Sequence, residues 1–438
     1  MVSPQRRREI IDALRRGTVP QRGLDTFAVG MNRFQEAIDQ ELEGARTGGG
    51  VFKAIRGEYG SGKTFFARWL QERAKRLSFA TAEVQISETE TPLHRLETVY
   101  RRLMERLATT DSESGAFRSV IDAWFYTLEE DVLAVGDLDP ADSTKLLERT
   151  NELMEQRLVA IAKTAPFFSV ALRGYRKAVS QGASATADGI LAWLMAQPNV
   201  AAATKRYAGI KEDIDHYGAL SFLQGLLVVL RDSGHAGLVI VLDEVETLQR
   251  VRSDVRDKGL NALRQLIDEV YSGRFPGLYV LITGTPAFFD GPQGVHRLPP
   301  LAQRLQVDFG ADTRFDNQRA VQVRLRGFDL DSLVEVGRKV RDIFAEGCIR
   351  ADMVRTMADD AYVRDLAQAV TGNLGGRVGI APRVFLKKLV SDVLDRIDQH
   401  PDFDPRKHYA LTISQSELTE IERNVTAAAS VDDIELKL

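Results

Sequence analysis

Apolar positions along this chain follow two rhythms, and the switch between them divides it. Near the start, Ile10, Ile11 and Leu14 fall on one face of a helix that Ser3-Pro4 opens and Gly17 stops. Phe34, Ile38 and Leu42 recur every four residues and predict a second helix, ended by Gly48-Gly49-Gly50. Short apolar runs at 51–56 and 79–86 then read as strands, with helices at 64–75 and 93–107. From about 110 to 235 the strand signal gives way to helical spacing, as in Ile121, Trp124, Phe125 and Leu128, then Leu147, Met154 and Leu158. Strands resume at 237–242, 278–282 and 320–325, and helical patterns at 330–344, 363–371 and 384–397 close the chain.

Strand, helix, strand, helix is the opening of a doubly wound α/β sheet. The expected architecture is an α/β core with a parallel sheet over 1–327, including the N-terminal helices and carrying a large helical insertion at about 110–235. A helical lid over 328–400 and a tail over 401–438 follow it. The 438 residues suffice for two or three compact units. No internal repeat or low-complexity segment interrupts them.

Composition narrows the function by exclusion. With 44% hydrophobic and 27% charged residues the chain reads as a soluble globular protein. The apolar runs are too short for a membrane span, and the start carries arginines without the apolar stretch of a secretory signal, so cytoplasmic residence is expected. The single cysteine, Cys348, excludes an intramolecular disulfide and a multi-cysteine zinc site. A net charge of −4 supplies no global attraction for nucleic acid, so any such contact needs a local basic patch. Two clusters offer one: Arg6, Arg7 and Arg8, and Arg173, Arg176 and Lys177 around Tyr175. A solvated helix face accounts for each equally well.

The chemistry is concentrated in Gly57-Glu58-Tyr59-Gly60-Ser61-Gly62-Lys63-Thr64, followed by Phe65, between a strand and a helix. Glycines at 57, 60 and 62 let successive amides face phosphate oxygens, and the helix start adds its dipole. Lys63 is placed for the β and γ phosphates of ATP, and the Thr64 hydroxyl for Mg2+. The buried strand at 237–242 delivers Asp243 to the metal and Glu244 to the attacking water. The strand at 278–282 runs into Thr283-Gly284-Thr285-Pro286, where Thr285 is the first candidate for a hydroxyl near the γ-phosphate and Thr283 the second. Arg304, with Arg297 as the alternative, is a candidate to reach a neighbouring subunit's nucleotide. Arg383, opening a late helix, is a candidate to reach the same phosphates from the other side.

This order of motifs resembles the AAA+ ATPases, and within them the replication-initiator branch. Val29-Gly30 ahead of a helix, the stretch from Phe52 to Phe66, and Ala381-Pro-Arg-Val-Phe385 resemble the ATP-binding proteins of bacteriophage-exclusion (BREX) systems, of the BrxC/BrxD type. The resemblance covers most of residues 1–395. It implies an ATP-dependent component of bacterial anti-phage defence, with Val29 and Gly30 bordering the adenine, Thr285 as the first sensor and Arg383 as the second. The usual Arg-Glu after Val-Gly is Met31-Asn32 here, a departure in that loop. The implied partners are ATP and ADP, further copies of the chain, double-stranded DNA, and a helicase, methyltransferase or nuclease of the same system.

Three functions compete at this stage: a DNA-coupled motor or switch, a protein-interaction switch that touches no DNA, and a replication initiator or helicase loader. The third usually carries a C-terminal winged helix, and about 40 residues after the lid are too few for a small self-folding domain.

Overall fold

A computed structural model describes residues 2–136, 139, 142–163, 165–211, 213–373 and 381–411. The stretch 376–380 before Arg383 and most of the expected tail, 412–438, lie outside the described residues. Five strands, β1 Val51–Arg56, β2 Ala80–Gln85, β3 Leu238–Asp243, β4 Leu278–Gly284 and β5 Gln322–Arg324, form one parallel sheet in the order β2-β3-β4-β1-β5. The last strand is half the expected length, because β5 is an edge that pairs with β1 over three residues.

Helices α1 Pro4–Arg15 and α2 Asn32–Arg46 precede β1, and α3 Lys63–Arg76 joins β1 to β2. Between β2 and β3 run α4 Leu96–Glu105, α5 Phe117–Ala134, α6 Ser143–Ala162, α7 Pro166–Ser180, α8 Ser184–Leu194, α9 Ala202–Ala208 and α10 His216–Asp232. After β3 come α11 Ser253–Tyr271, then, past β4, α12 Pro286–Asp290 and α13 Pro299–Leu305. Beyond β5 lie α14 Leu330–Ala345, α15 Ala351–Met357, α16 Asp360–Asn373 and α17 Ala381–Lys387, which continues through one wider turn into α18 Asp395–Gln399, with α19 Pro405–His408 last.

The two-residue period of a strand splits this chain between two cores. Leu238, Ile240 and Leu242 face one way and join the helices α4 to α11, including Trp124, Phe168 and Phe222. Val239 and Val241 face the other way, toward α1, α2, α3 and the helices beyond β5, with Phe34, Trp69, Val340 and Phe385. Both faces are covered, which is why the central strands read as unbroken apolar runs rather than alternating ones.

Helix α1 packs against α14 and α17, so the chain's first helix and its late helices share one core. Arg15 grips Asp395 with two bonds of 2.7 and 2.8 Å, and Arg7 meets Glu346 at 3.3 Å. The segment 17–31 therefore crosses from those helices back to α2 and the sheet.

One polar pair sits inside the sheet. Lys53, 1% exposed in the middle of β1, is bound by the Glu41 carboxylate and donates to the Gln318 carbonyl at 2.9 Å. Glu41 also accepts from the Tyr279 hydroxyl at 2.7 Å. Burial pulls the Lys53 ammonium below its ordinary pKa, and Glu41 opposes that pull. Removing Glu41 alone strands a buried cation, so Glu41→Leu is expected to cost about 3 kcal/mol in urea unfolding, while Glu41→Leu/Lys53→Met recovers most of it. An undiminished midpoint in the single variant would show that Lys53 finds water or sheds its proton at no cost.

Candidate functional site

The loop between β1 and α3 wraps back on itself at the carboxyl end of the sheet. Gly60 and Gly62 adopt φ of 78° and 91°, a region that penalises a Cβ, and Gly62 leads directly into α3. Gly57 lies so close to the Ser61 hydroxyl that a side chain there would collide with it. Ser61 Oγ is buried without a hydrogen-bond partner, a polar atom the loop leaves over.

Lys63 is 8% exposed and donates to the carbonyls of Gly57 at 2.8 Å and Glu58 at 3.3 Å, its ammonium 5.0 Å from the centre of the Tyr59 ring. Its charge is satisfied by its own loop.

Across from the loop, β3 ends in Asp243. The Thr64 hydroxyl donates to Asp243 Oδ2 at 3.2 Å, and the Thr283 hydroxyl binds Asp243 Oδ1. Thr283 Oγ1 also accepts from the Glu244 amide at 3.1 Å. Glu244 itself stands at φ 58°, ψ 46°, a left-handed conformation that costs a non-glycine residue about 1–3 kcal/mol. Thr283 helps to hold it there. The Glu244 carboxylate accepts from the Gln85 side-chain amide at 2.6 Å, and Gln85 ends β2 in register with Asp243.

It is Thr283, not Thr285, whose hydroxyl reaches the acidic pair. Strand β4 continues to Gly284, so Thr283 is still within the sheet, beside the end of β3, whereas Thr285 is buried one step beyond and opens α12 without a side-chain cap. Glu246 lies one turn further on and was not singled out in the sequence. It is 5% exposed, both its oxygens lack partners, and burial pushes its carboxyl up to about 7 against the opposing pull of Lys63.

These groups open into a cleft of about 350 Å³. Tyr59 to Phe65, Asp243 and Glu244 make one wall. The opposite wall is apolar: Leu14 comes from α1, Val19, Phe27 and Val29 from the crossing segment, and Val336 and Leu386 from the late helices, with Arg383 among them. Phe65 meets Phe27 edge-on at 5.4 Å. Val29 and Met31 line this cleft, while Gly30 between them turns at φ 73°. Gly57 and Glu58 lie on the far side of the loop, around a separate recess with Phe309 and Arg324.

The arginines named for action in trans are engaged within the chain. Arg304 binds Asp268 through two nitrogens and donates to the Pro300 carbonyl at 2.6 Å; Arg297 binds Asp257 and the Ser253 hydroxyl. Each cation of the cluster on α7 has a partner within the chain. Arg173 pairs with Glu155 at 2.5 Å, Arg176 is buried with Glu129 at 2.9 Å and covers Phe125, and Lys177 lies over Tyr207.

The donor set suits a nucleotide and its cation. A hydroxyl and a carboxylate oxygen 3.2 Å apart can face one divalent ion, and magnesium usually takes one or two such protein ligands and completes its shell with water and phosphate oxygens. Among the described residues no group of three or more His, Cys, Asp or Glu is placed to hold a metal. A glycine loop backed by a helix start, an acidic strand end and an apolar cleft together define a P-loop nucleotide-binding protein.

The family follows from comparison. The model of the family described as BREX system ATP-binding protein BrxC/D matches residues 2–413, and the chain belongs to that family of ATP-binding components of BREX defence systems. No curated protein and no solved structure matches it. No described helix is long and apolar enough to cross a membrane.

Lys63 is the one ammonium of the loop, so Lys63→Ala is expected to weaken ATP binding about ten- to a hundredfold, the value of a charge-assisted hydrogen bond or two. Titration with a fluorescent ATP analogue checks this. Unchanged affinity would place the nucleotide elsewhere.

Proposed function

We propose that the chain is a magnesium-dependent ATPase of the AAA+ type, resembling the replication-initiator branch, in which ATP lies between the α/β core and a helical lid beginning near residue 328. The observation that carries this reading is the knot of Thr64, Asp243 and Thr283 beside the left-handed Glu244. It supports Thr64, at the start of α3, and Asp243, at the end of β3, as the metal-ligating pair, with Glu244 beside them as the base, held at rest by Gln85.

In this reading the base of the nucleotide enters the apolar wall near Val29 and Phe27, and the phosphates lie along Gly60 to Thr64. Lys63 exchanges its loop carbonyls for β and γ oxygens. Thr64 and Asp243 hold Mg2+, which when bound neutralises charge on those oxygens. Glu244 orients and deprotonates the water that attacks the γ-phosphorus. Gln85 holds one Glu244 oxygen at rest, so the carboxylate must leave that amide to serve as a base. Thr283 takes the first-sensor role, and Arg383, on the cleft wall, the second.

Arg304 completes the site from a neighbouring copy. Its two bonds to Asp268 must first be exchanged for phosphate oxygens, which makes turnover depend on assembly rather than on nucleotide alone. The proposed setting is an oligomer in the cytoplasm that uses the ATP cycle to engage DNA or other proteins of its defence system.

Glu244→Gln is expected to keep ATP affinity and to lose about 10²- to 10⁴-fold in turnover, measured by phosphate release. Turnover at the parental rate would remove Glu244 from the base role. Arg304→Ala is expected to bind ATP and not hydrolyse it, and mixing it with Glu244→Gln should restore part of the activity, since each supplies what the other lacks. Full activity of Arg304→Ala by itself would dismiss the donation in trans.

A further inference from the structure

Five cations converge on the outer side of α3, away from the cleft. Arg68, Lys75 and Arg76 come from α3 itself, Arg22 from the crossing segment and Arg6 from α1. With Gln21, Gln71, Glu72 and Thr110 they line a recess of about 170 Å³. Glu72 is the acid of this lining, and its charge is already used: it accepts from the Gly23 and Leu24 amides, each at 2.9 Å, and pairs with Arg76 at 3.1 Å. Arg76 also binds Asp25, Arg22 pairs with Glu113 at 2.9 Å, and Arg68 donates to the Val19 carbonyl and faces Glu83 at 3.6 Å.

Two charges remain. Neither the Arg6 guanidinium nor the Lys75 ammonium has a hydrogen bond or an ion pair among the described residues. Lys75 is half-buried, and burial together with the nearby Arg22 holds it below the ordinary lysine pKa against the weaker pull of Glu113 and Glu72. With Arg22, Arg68 and Arg76 paired to acids, Arg6 and Lys75 are the cations whose charge an entering anion would meet. Arg6 and Arg76 are exposed at the recess, so a phosphate still attached to a chain has access to it.

The recess also touches the nucleotide site through one short segment. Gly17 to Pro20 line the cleft, and Gln21 and Arg22, the next two residues, line the recess. One side of the recess belongs to α1, which Arg15 fastens to Asp395 on the late helices; the other belongs to α3, which starts at Lys63. The stem of Arg6 lies across Gly23, which turns at φ 77° and leaves it room.

We infer that this recess is a second phosphate site, distinct from the cleft, that takes a backbone phosphate of nucleic acid and is coupled to nucleotide binding through residues 17–22. An anion held between Arg6 and Lys75 draws α1 toward α3, and a nucleotide between the same two parts of the molecule favours the same approach. Linkage then requires each ligand to raise the affinity for the other by the same factor. The coupling rests on the cleft being the nucleotide site; the anion site does not.

The test uses the full chain and the variant Arg6→Ala/Lys75→Ala, whose changed side chains lie outside the cleft. The probes are a short fluorescent DNA duplex, read by anisotropy over a salt series, and inorganic phosphate, read by thermal shift. The parent is expected to bind the duplex, with the variant about tenfold weaker at low salt and its salt dependence shallower by one to two released ions. ATP should tighten duplex binding by the parent and not by the variant. A thermal shift with inorganic phosphate in the parent but not the variant, without duplex binding, would keep the anion site and overturn its nucleic-acid ligand. Identical behaviour of parent and variant toward both probes overturns the site. Equal ATP affinity of the two chains without either probe shows the cleft intact, so failure here is distinguishable from failure of the nucleotide reading.

Discussion

The rest of this structure depends on a crowding of charge at the carboxyl end of one parallel sheet. Lys63 is buried on one side, and Asp243, Glu244 and Glu246 leave the strand on the other. None of these charges is neutralised by a simple ion pair. The ammonium leans on two carbonyls of its own loop, Asp243 is held by two hydroxyls, Glu244 by an amide, and Glu246 by no side-chain hydrogen bond, with the field of Lys63 to favour its charge. Groups held by neutral partners can be handed to a ligand without first breaking a strong pair. The sheet provides the stiffness for this, since β3 is buried along its whole length and flanked on both sides.

How much of this was legible in the sequence depends on how local each feature is. The phosphate loop and the acidic strand end are each confined to a few consecutive residues, and they appear where expected. The central strands were readable because burial on both faces leaves a continuous apolar run; β5, an edge, was overextended for want of such a run. Gln85 and Thr283 act through register between neighbouring strands, a relation that does not exist until the order β2-β3-β4 is known. The signal for Gln85 was present as a polar residue ending the second strand, but with no reason to attach it to Glu244 across 159 positions.

The apolar wall was the least legible part. Leu14, Phe27, Val336 and Leu386 are separate segments of ordinary helical or loop pattern, and only the packing of α1 on the late helices brings them together. Ion pairs left no trace either. Asp268 is one acid among many until α11 and α13 place it against Arg304, and the cations of α7 read as a patch until Glu155 and Glu129 are seen opposite them. The cations of the recess beside α3 come from three segments between residues 6 and 76; Arg6 stood out in the sequence as part of a basic run, but nothing there joined it to Arg22, Arg68, Lys75 and Arg76.

The clasp between Arg15 and Asp395 spans 380 positions, and it sets an order of events during synthesis. Helix α1 is synthesised well before the late helices whose surface covers Ile10, Ile11 and Leu14. The phosphate loop and its strand partners can assemble while synthesis continues, but the wall opposite them cannot close until the late helices are released. Until those helices emerge, the narrow apolar face of α1 has no cover and the cleft is half-built. The capacity to enclose a nucleotide therefore arrives with the late helices rather than growing along the way.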